Sequence, residues 1–348
     1  MNAEKYHPSL RPLEEACRLA QSGWYCIPNP LVGRGGENSL LWKTGILLRH
    51  MALVFRCWKA ISCRHIQVRE FSTLPLLFVF PLLWPLRNKL YFLIHHNLQW
   101  AIRSRIERFG MLTLARVGAR WAIFETQDFP MFGKICVPSP RNLVLPHPVP
   151  EKFSKHWKKN GSPMIGVAGY YRPEKGVDEL LRLLTKHFPD CEIVAGVPNP
   201  EAVNIPSVTV LDTTSDESYR RMLARCDVLV QNGARDSYFY RASGVIADAA
   251  ACGTAVVVPD YPLLRQQVTV PVSIGEVFQG LGPKRSESAF GYSQKKRHEG
   301  EWQQMPEAVR CAVEKTRTGQ YNFNAYCAAR SAQALADCLD EFSRRQDG

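Results

Sequence analysis

The stretch that decides the fold is MIGVAGYYRPEKGVDELLRLLTKHFPDCEIVAG, residues 164–196. It begins with an apolar run that ends at Gly169, passes through a polar loop, takes up helical spacing of apolar residues over 177–188, and returns to an apolar run at 191–196. Strand, loop, helix and strand in such close succession are typical of a parallel sheet covered by helices. The sequence therefore predicts an α/β fold.

The same alternation continues after this stretch. Apolar runs predict three further strands, at 208–211, 227–231 and 255–260. Helical periodicity fills the intervals, with Ser215 and Asp216 as capping candidates for one helix and Gly253 as the stop signal of the next. Because the strands are almost continuously apolar, their sheet is expected to be buried on both faces. We predict a doubly wound, Rossmann-like domain over residues 151–318.

A second, less regular alternation runs through the first 150 residues. It predicts strands at 24–30, 65–71, 89–97, 121–125 and 142–150, and helices at 40–60, 74–86 and 101–116. Pro146, Pro148 and Pro150 mark a boundary, so residues 1–150 are predicted to form a second Rossmann-like domain. The tail 319–348 is predicted to be a C-terminal helix that packs back. Two such domains in series predict an interdomain cleft, where ligands of parallel sheets bind.

One group of residues after the first strand of the C-terminal half is suited to phosphate binding. Gly169 ends the strand, Arg172 and Lys175 lie in the loop, and Gly176 starts the following helix. Backbone N–H groups, the positive end of the helix dipole and two cations would meet a phosphate there. The alternative is that both cations are solvated loop charges. The strand, glycine, basic loop and helix in this order favour the phosphate site.

A second group lies in YRASGVIADAAACGTAVVVPD, residues 240–260. Ser243 and Gly244 stand at the start of a predicted helix, and Asp248 follows one turn later. The helix amides can hold a phosphate while a carboxylate accepts hydrogen bonds from vicinal ribose hydroxyls. The alternative is that Ser243 only caps the helix and Asp248 lies on a solvated face.

Together these two groups resemble the C-terminal domain of the GT-B fold glycosyltransferases, specifically the retaining, sugar-nucleotide-dependent enzymes called group 1. The resemblance covers residues 164–275 and, more weakly, the N-terminal half. It implies that Lys175 binds the donor diphosphate, at the position of the family's lysine. The family's arginine usually follows the strand glycine, where this chain has Tyr170, so Arg172 is a displaced candidate.

The resemblance also concerns a pair of acidic positions. The family has two glutamates with seven residues between them, the second of which contacts the nucleotide ribose. Asp248 stands at the second position and Tyr240 at the first, where the family's glutamate is associated with the transferred sugar. The resemblance therefore supports nucleotide binding by Asp248 and leaves the sugar-side role of Tyr240 open.

In the N-terminal half the resemblance extends to two short segments. The family has a Gly-Gly loop after its first strand that approaches the donor, and Gly35 and Gly36 match it. It also has a histidine near the donor sugar at a strand end, where this chain has His95 and His96. His96 is the predicted catalytic residue because Asn97 follows it, as in the family's His-Asp or His-Asn pair. The alternatives are an ordinary tight turn and a histidine bonded to backbone groups.

These residues imply transfer of a sugar from a nucleoside diphosphate sugar to a hydroxyl of a carbohydrate or lipid-linked acceptor, in polysaccharide or glycolipid synthesis. Lys175, Arg172 and the amides near Gly244 would stabilise the leaving diphosphate, so no metal or cofactor is expected, and the sequence has no Asp-x-Asp motif. Retention of anomeric configuration is what the resemblance implies. Two alternatives stay open, a non-catalytic sugar-nucleotide-binding or scaffold protein of the same fold and a basic nucleic-acid-binding protein.

The charge is unevenly distributed along the 348 residues. The formal net charge is +12, and residues 1–150 hold 19 Lys and Arg against 8 Asp and Glu, which leaves +1 for the remainder. No zinc finger, aromatic RNA-binding motif or basic region with heptads accompanies these charges, so nucleic acid is not the expected partner.

The basic residues of the N-terminal half lie on predicted helices together with large apolar residues. In the helix over 40–60 the two kinds alternate, with Leu47, Leu48, Phe55 and Trp58 beside Arg49, Arg56 and Lys59. A basic helix of this kind is typical of binding to an anionic membrane surface, and the alternative is a helix with a solvated charged face.

Three further observations bear on location. The longest apolar run, residues 71–86, contains three prolines and is shorter than the ~20 residues that a membrane-spanning helix needs. The 11 cysteines are scattered without a C-x-x-C pair, which indicates free thiols in a reducing compartment, and the polar N-terminus does not resemble a signal peptide. We expect a cytoplasmic protein, with peripheral attachment to the inner membrane face as a further option.

Overall fold

The computed structural model of this protein describes residues 11–27, 40–94, 97–128, 132–136, 138–153, 161–169, 177–231, 238–279 and 304–347. Of residues 40–44, 99, 102, 103 and 134 it describes the backbone only. The chain divides into two compact units, Met1–Pro148 with Ala332–Gly348, and Val149–Ser331. Each contains a parallel sheet flanked by helices, so the predicted α/β class with two Rossmann-like sheets is confirmed.

The N-terminal unit contains five strands and seven helices. The strands are Trp24–Ile27 (β1), His65–Val68 (β2), Leu90–Ile94 (β3), Arg120–Phe124 (β4) and Leu143–Leu145 (β5). The helices are Arg11–Leu19 (α1), Leu40–Lys59 (α2), Thr73–Leu83 (α3, followed by a 3-10 turn at Trp84–Leu86), Asn97–Arg103 (α4), Arg105–Arg116 (α5), Phe132–Ile135 (α6) and, from the end of the chain, Ala332–Asp347 (α13). These numbers refer to the described residues.

The order of the strands in this sheet is the order of the chain, β1-β2-β3-β4-β5, and every neighbouring pair is parallel. Crossovers between parallel strands are right-handed, so crossovers that all advance in one direction place their helices on one face of the sheet. In agreement, α2 packs against α3 and α3 against α5. Phe92 of β3 points to this layer, with its ring centroid 6.2 Å from that of Phe80 in α3.

The opposite face of the sheet is covered by α1 and α13, which pack against each other. Tyr91 of β3 points to this face, and its ring lies edge-on to Phe342 of α13 at 5.5 Å between centroids. Trp24 donates from Nε1 to Ser343 Oγ at 3.0 Å. The predicted packing of the C-terminal helix is therefore confirmed, because α13 supplies the cover that the second face of the sheet needs.

Two predicted helices are divided in the structure. The helix predicted over 101–116 breaks at Ser104, whose backbone is extended. The Ser104 hydroxyl caps α5 by accepting a hydrogen bond from the Glu107 N–H at 3.3 Å. The helical pattern of the tail likewise divides at Arg330 into two helices, the second of which is α13. Arg330 is buried, and its guanidinium donates to the Val270 carbonyl at 2.7 Å.

The C-terminal unit contains six strands and six helices in the described ranges. The strands are Met164–Ala168 (β6), Glu192–Val197 (β7), Val208–Asp212 (β8), Val228–Val230 (β9), Ala255–Pro259 (β10) and Gly275–Phe278 (β11). The helices are Val177–His187 (α7), Asp216–Arg225 (α8), Gly244–Ala251 (α9), Pro262–Thr269 (α10), Met305–Arg317 (α11) and Phe323–Ala329 (α12), with a 3-10 turn at Pro200–Ala202.

The strand order of this second sheet reverses in its middle. The order is β11-β10-β9-β6-β7-β8, with all pairs parallel. The chain starts at β6, advances through β7 and β8 on one side, and returns to build β9 to β11 on the other. Buried apolar clusters lie on both faces of the sheet, one with α8 and α9 and one with α7 and α11. The carboxyl ends of β6 and β9 are thus a topological switch point, where open α/β sheets bind ligands.

All eleven cysteines are free, and each is buried or half-buried. In the ranges that the structure describes, no helix is long and apolar enough to cross a membrane.

The attachment of α13 depends on one carboxylate. Asp340 accepts hydrogen bonds from the backbone N–H groups of Gln21 and Ser22, at 3.0 and 2.8 Å, and from the Ser22 hydroxyl. We predict that Asp340→Ala lowers the free energy of unfolding by about 1–3 kcal/mol, because two backbone donors lose their partner. Urea denaturation measures this change. Glu341→Gln, at the exposed neighbouring position, is the control, and an equal loss in both variants would contradict the assignment.

Candidate functional site

The site begins where β6 ends. Gly169 has a φ of +117°, a conformation that L side chains rarely adopt, and its N–H donates to the Gly196 carbonyl of β7 at 3.1 Å. No heavy atom of the described residues lies within 4 Å of the point where a Cβ of residue 169 would stand. Glycine is therefore required at this position by the backbone turn.

The second part of the site is the start of α9, which follows β9 in the chain. Ser243 is the N-cap residue, but its side chain accepts no hydrogen bond from the helix. Its hydroxyl is instead bonded to the Gln231 side chain, with Nε2 donating to Oγ at 2.7 Å. Gln267 holds the backbone of Ser243 from the other side, through bonds of 2.9 and 2.8 Å.

This clamp of Gln231, Ser243 and Gln267 is buried, and it determines what the helix terminus offers. Because the serine hydroxyl is turned away, it does not satisfy the first amides of α9, which begin at Gly244. Helix N-terminal amides together with the helix dipole form a binding site for anions. Ser243 is thus the N-cap residue by position, but its hydroxyl makes no capping hydrogen bond, and Gln267 fixes its backbone.

One turn further along α9 lies Asp248. Tyr219 of α8 donates from its hydroxyl to Asp248 Oδ2 at 3.2 Å. Burial raises the pKa of Asp248 to about 7, while the Tyr219 hydrogen bond and the nearby charge of Arg220 act in the opposite direction. Burial also raises the pKa of the Tyr219 phenol well above its usual value, so this hydroxyl stays protonated and is a donor. Asp248 is therefore not an ordinary solvated carboxylate.

The surroundings of Asp248 are partly apolar. Arg220 is held by an ion pair with Asp216, in which Nε lies 3.1 Å from Oδ2. A depression beside the carboxylate is lined by Pro150, Phe153, Arg220, Asp248, Ala251 and Cys252. Removal from water by this lining disfavours the charged form of Asp248, and the Arg220 guanidinium, which is paired with Asp216, offsets this effect only in part.

Tyr240, at the position where the family resemblance places a glutamate, is buried among aromatic residues. It is 2% exposed, and its ring is perpendicular to that of Phe239 at 4.6 Å between centroids. Phe239 in turn contacts Tyr261. Tyr240 is thus part of the packed aromatic core next to α9.

The predicted site residues divide into two sets. Gly169, Ser243 and Gly244 lie at the carboxyl edge of the second sheet, Asp248 lies one turn along α9, and Tyr240 precedes Ser243 in the core. The others lie outside the described residues, namely Gly35, Gly36, His96, Arg172 and Lys175. Asn97, which follows His96, is buried and donates from Nδ2 to the Phe71 carbonyl at 3.2 Å.

Sequence reasoning missed the residues that hold the site in place. Gln231 directly follows a buried strand, and a polar residue at that point of a parallel sheet is a signal for the ligand edge. Tyr219 occupies an inward position of α8, and a buried tyrosine needs a partner for its hydroxyl. Gln267, in α10, carries no comparable local signal, since its role depends on a contact across 24 residues.

A metal site was sought in the same way. Over the described ranges, no group of three or more His, Cys, Asp or Glu side chains is arranged to hold a metal ion. The absence of a metal requirement stays a prediction.

Comparison with known proteins relates this geometry to solved structures. Neither a protein-family model nor a curated protein matches the sequence. Among solved structures, Alr3699/HepE of Anabaena in complex with UDP superposes with a TM-score of 0.56 at 14% identity, covering 100% of this chain and 96% of that one. The same protein was also solved with UDP and glucose.

Two further structures are similar. The α,α-trehalose-phosphate synthase (UDP-forming) of Burkholderia vietnamiensis has a TM-score of 0.52 at 12% identity, covering 89% of this chain and 79% of that one. A GtfA/B complex has a TM-score of 0.54 at 9% identity, and this chain spans 61% of that protein's length. The chain has the GT-B fold. At such identities the likeness establishes the GT-B fold and the structural similarity to UDP-sugar glycosyltransferases, and the roles of individual residues stay predictions.

The shifted pKa of Asp248 predicts a pH dependence of stability. The folded-state pKa of about 7 exceeds the ordinary value of 3.8, so the folded chain binds more protons between these pH values than the unfolded chain. The contribution of Asp248 to stability is therefore complete below pH ~4 and is lost as the pH rises through ~7. Compared with Asp248→Asn, wild type should lose on the order of 1–3 kcal/mol between pH 5 and pH 8, measured by urea denaturation.

A double-mutant cycle with Tyr219→Phe sharpens this test. Removing the phenol hydroxyl takes away a hydrogen bond that favours ionised Asp248, so Tyr219→Phe should lose more free energy of unfolding at high pH than wild type does. In the Asp248→Asn background, Tyr219→Phe should have no pH-dependent effect. Asp337→Asn, at an exposed position of α13, is the control for charge removal. Parallel pH profiles of wild type and Asp248→Asn would show that Asp248 titrates normally.

Proposed function

We propose that this protein is a glycosyltransferase that moves a sugar from a nucleoside diphosphate sugar to an acceptor hydroxyl. The observation that carries the proposal is the arrangement at the switch point of the second sheet. Gly169, the uncapped start of α9 at Gly244 and the carboxylate of Asp248 follow one another there, in a chain with the GT-B fold. The helix amides at Gly244 would bind a phosphate, and the Asp248 carboxylate one turn later would accept hydrogen bonds from the ribose hydroxyls.

Asp248 is the proposed ribose ligand. Its ionised form can accept hydrogen bonds from both vicinal hydroxyls, and Tyr219 holds one carboxylate oxygen in position. Because the pKa of Asp248 is about 7, a bound ribose that donates to the carboxylate would favour the ionised form. Nucleotide binding should therefore strengthen as the pH rises through this value.

The departing diphosphate is proposed to bind at the start of α9. The amides beginning at Gly244 face the developing negative charge, and Lys175 and Arg172 are the cations that the family resemblance assigns to the same phosphates. Cations and helix dipole together would stabilise the leaving group. His96 is the proposed hydrogen-bond partner of the sugar, and retention of configuration belongs to the same proposal.

UDP is the proposed nucleotide. Alr3699/HepE was solved with UDP, and the trehalose-phosphate synthase of similar fold is described as UDP-forming. These facts concern those proteins, and they make UDP the first nucleotide to test here. The acceptor is proposed to be a carbohydrate or a lipid-linked hydroxyl.

A second candidate function is sugar-nucleotide binding without transfer. The observation that favours it is the burial of Tyr240 against Phe239, at the position where the family's glutamate is associated with the transferred sugar. A buried phenol cannot supply the negative charge of a carboxylate near an electron-deficient anomeric carbon. The nucleotide end of the site is unaffected by this substitution.

Nucleotide titration tests the shared part of both candidates. We predict that UDP binds in isothermal titration calorimetry and that Asp248→Asn weakens binding about tenfold, since the neutral amide is a poorer acceptor for two hydroxyls. The difference between the two proteins should be larger at pH 8 than at pH 6. Asp337→Asn should bind as wild type does. A chain that is indifferent to UDP, GDP and ADP would not be the proposed enzyme.

Hydrolysis of a UDP-sugar separates the two candidates. A transferase releases UDP slowly from its donor even without acceptor, and Lys175→Ala should reduce that release by about tenfold or more because a charge on the leaving group is lost. Binding of UDP without any release from UDP-glucose, UDP-galactose or UDP-N-acetylglucosamine would favour the non-catalytic alternative.

A further inference from the structure

The N-terminal unit carries an unusual distribution of exposed apolar side chains. In the part of the chain that the structure describes, all the exposed large hydrophobic residues except Val270 belong to this unit. Most of them lie on the outer side of the helical layer that covers one face of the first sheet. This outer surface, here called the helical face, comprises Leu47, Leu48, Met51, Phe55 and Trp58 of α2, Phe78, Leu82 and Trp84 of α3 and its 3-10 turn, and Ile106 and Phe109 of α5.

The exposed side of α2 is divided lengthwise into two stripes. Its core-facing positions are His50, Leu53, Val54 and Cys57. On the solvent side, the apolar members recur at helical spacing from Leu47 through Phe55 to Trp58, so they form one stripe. Arg49, Arg56 and Lys59 fall on the adjoining stripe, and the Lys59 ammonium lies 4.7 Å from the centre of the Phe55 ring.

The apolar stripe of α2 continues onto α3. Trp58 donates from its indole Nε1 to the Leu82 carbonyl at 3.1 Å, which joins the two helices at the surface. Leu82 and Phe78 are four residues apart on α3, and Phe78 is 79% exposed. At the end of α3, the guanidinium of Arg87 lies 4.4 Å from the centre of the Trp84 ring.

The other side of α3 adjoins α5. A Cβ on Gly110 would stand 2.8 Å from the Thr73 side chain, so the two helices approach closely where α3 begins. Ile106 and Phe109 precede Gly110 on the same helix, and both are more than 60% exposed, at 63% and 64%. All three packed helices thus carry large apolar side chains that the remaining described residues leave exposed.

Hydrogen bonds of the buried His50 fix α2 to the start of α3. His50 of α2 accepts at Nε2 from the Ser72 N–H, 3.1 Å away, at the entry to α3, and its Nδ1 donates to the Ile46 carbonyl at 2.9 Å. This pattern requires the neutral ring, and burial lowers the pKa of His50 accordingly. The exposed aromatic residues therefore stand on a fixed support.

The charge of the whole protein is concentrated on the same segment. Residues 40–124, which contain α2 to α5, hold 13 Lys and Arg and only 2 Asp and Glu. Three of the basic residues, Arg64, Arg69 and Arg120, contact Asp347, Glu14 and Tyr91 on the other side of the sheet, and Arg49, Arg56, Lys59 and Arg87 adjoin the helical face. The sequences of α2 and α3 contain no acidic residue. An apolar face with a basic border is complementary to a surface that offers both acyl chains and negative headgroups.

We propose that the helical face docks the protein on an anionic lipid surface, with Phe55, Phe78 and Phe109 inserted at the headgroup boundary and the basic residues beside phosphate. A nucleic acid would neutralise the charges but leave the row of apolar side chains in water. A symmetric dimer would bury the apolar residues but bring two basic surfaces of the same sign into one interface, which is unfavourable. Lipid binding satisfies both properties and does not depend on the transferase chemistry.

Vesicle flotation without any nucleotide tests the proposal. The full chain should float with phosphatidylcholine vesicles that contain phosphatidylglycerol and not with phosphatidylcholine alone, and raising the salt from ~0.1 to ~0.5 M should weaken binding. Phe55→Ser with Phe78→Ser should reduce binding about tenfold or more through lost apolar burial. Lys59→Gln with Arg87→Gln should reduce it about tenfold and remove the preference for anionic lipid.

The matched control is Leu19→Ser, a similarly exposed leucine, 44%, on α1 at the opposite face of the same sheet. It should float as wild type does, and unchanged thermal midpoints verify that each variant is folded. Equal flotation with neutral and anionic vesicles, or wild-type flotation of the Phe55 and Phe78 variant, would overturn the proposal. A wild-type dimer in size-exclusion chromatography that this variant converts to a monomer, with flotation absent in both, would assign the face to a second copy of the chain instead.

Discussion

The constraint on which the structure depends is that a parallel sheet of apolar strands must be covered on both faces, and that right-handed crossovers decide which helices cover which face. In the N-terminal unit the strands follow the chain order, so α2, α3 and α5 lie on one side and the other side needs a cover from elsewhere. That cover is α1 together with α13, a helix that follows the whole C-terminal unit in the chain and packs back on the first sheet. Asp340, bonded to two backbone N–H groups, and the Trp24 to Ser343 contact hold it there.

The same rule has the opposite outcome in the C-terminal unit. Its strand order reverses between β6 and β9, so crossovers leave in both directions from these two strands, and open α/β sheets bind ligands at the carboxyl ends of such strands. Gly169 and the start of α9 lie at this edge, and the buried Gln231 and Gln267 turn the Ser243 hydroxyl away from the helix amides. Asp248, raised in pKa by burial and bonded to Tyr219, stands one turn beyond. Strand order alone therefore explains why one unit has a candidate ligand site at its centre and the other presents a broad helical layer.

Most of the net charge of +12 belongs to one segment of the N-terminal unit. Residues 40–124 contribute +11 of it, and Arg49, Arg56, Lys59 and Arg87 of this segment adjoin the exposed aromatic and aliphatic residues of the helical face. Large exposed apolar patches mark interaction sites, and a basic border favours an anionic partner. The second unit, with an almost neutral sequence, has the features proposed for the nucleotide. The proposed donor site and the proposed lipid-binding face thus belong to different parts of the chain.

By itself, the sequence determined the α/β class, the two Rossmann-like sheets and the positions of most strands, because apolar periodicity and cap signals are local properties. It also indicated Gly169 and Asp248, each from a short motif in its strand or helix context. The break at Ser104 depended on one capping serine within a continuous helical pattern, and the pattern alone did not resolve it. Only the tertiary structure decided the strand orders, the clamp on Ser243, the partnership of Tyr219 with Asp248, and the joining of three helices into one apolar face. These features come from contacts between residues far apart in the chain, and such contacts produce no periodic pattern of apolar residues in the sequence.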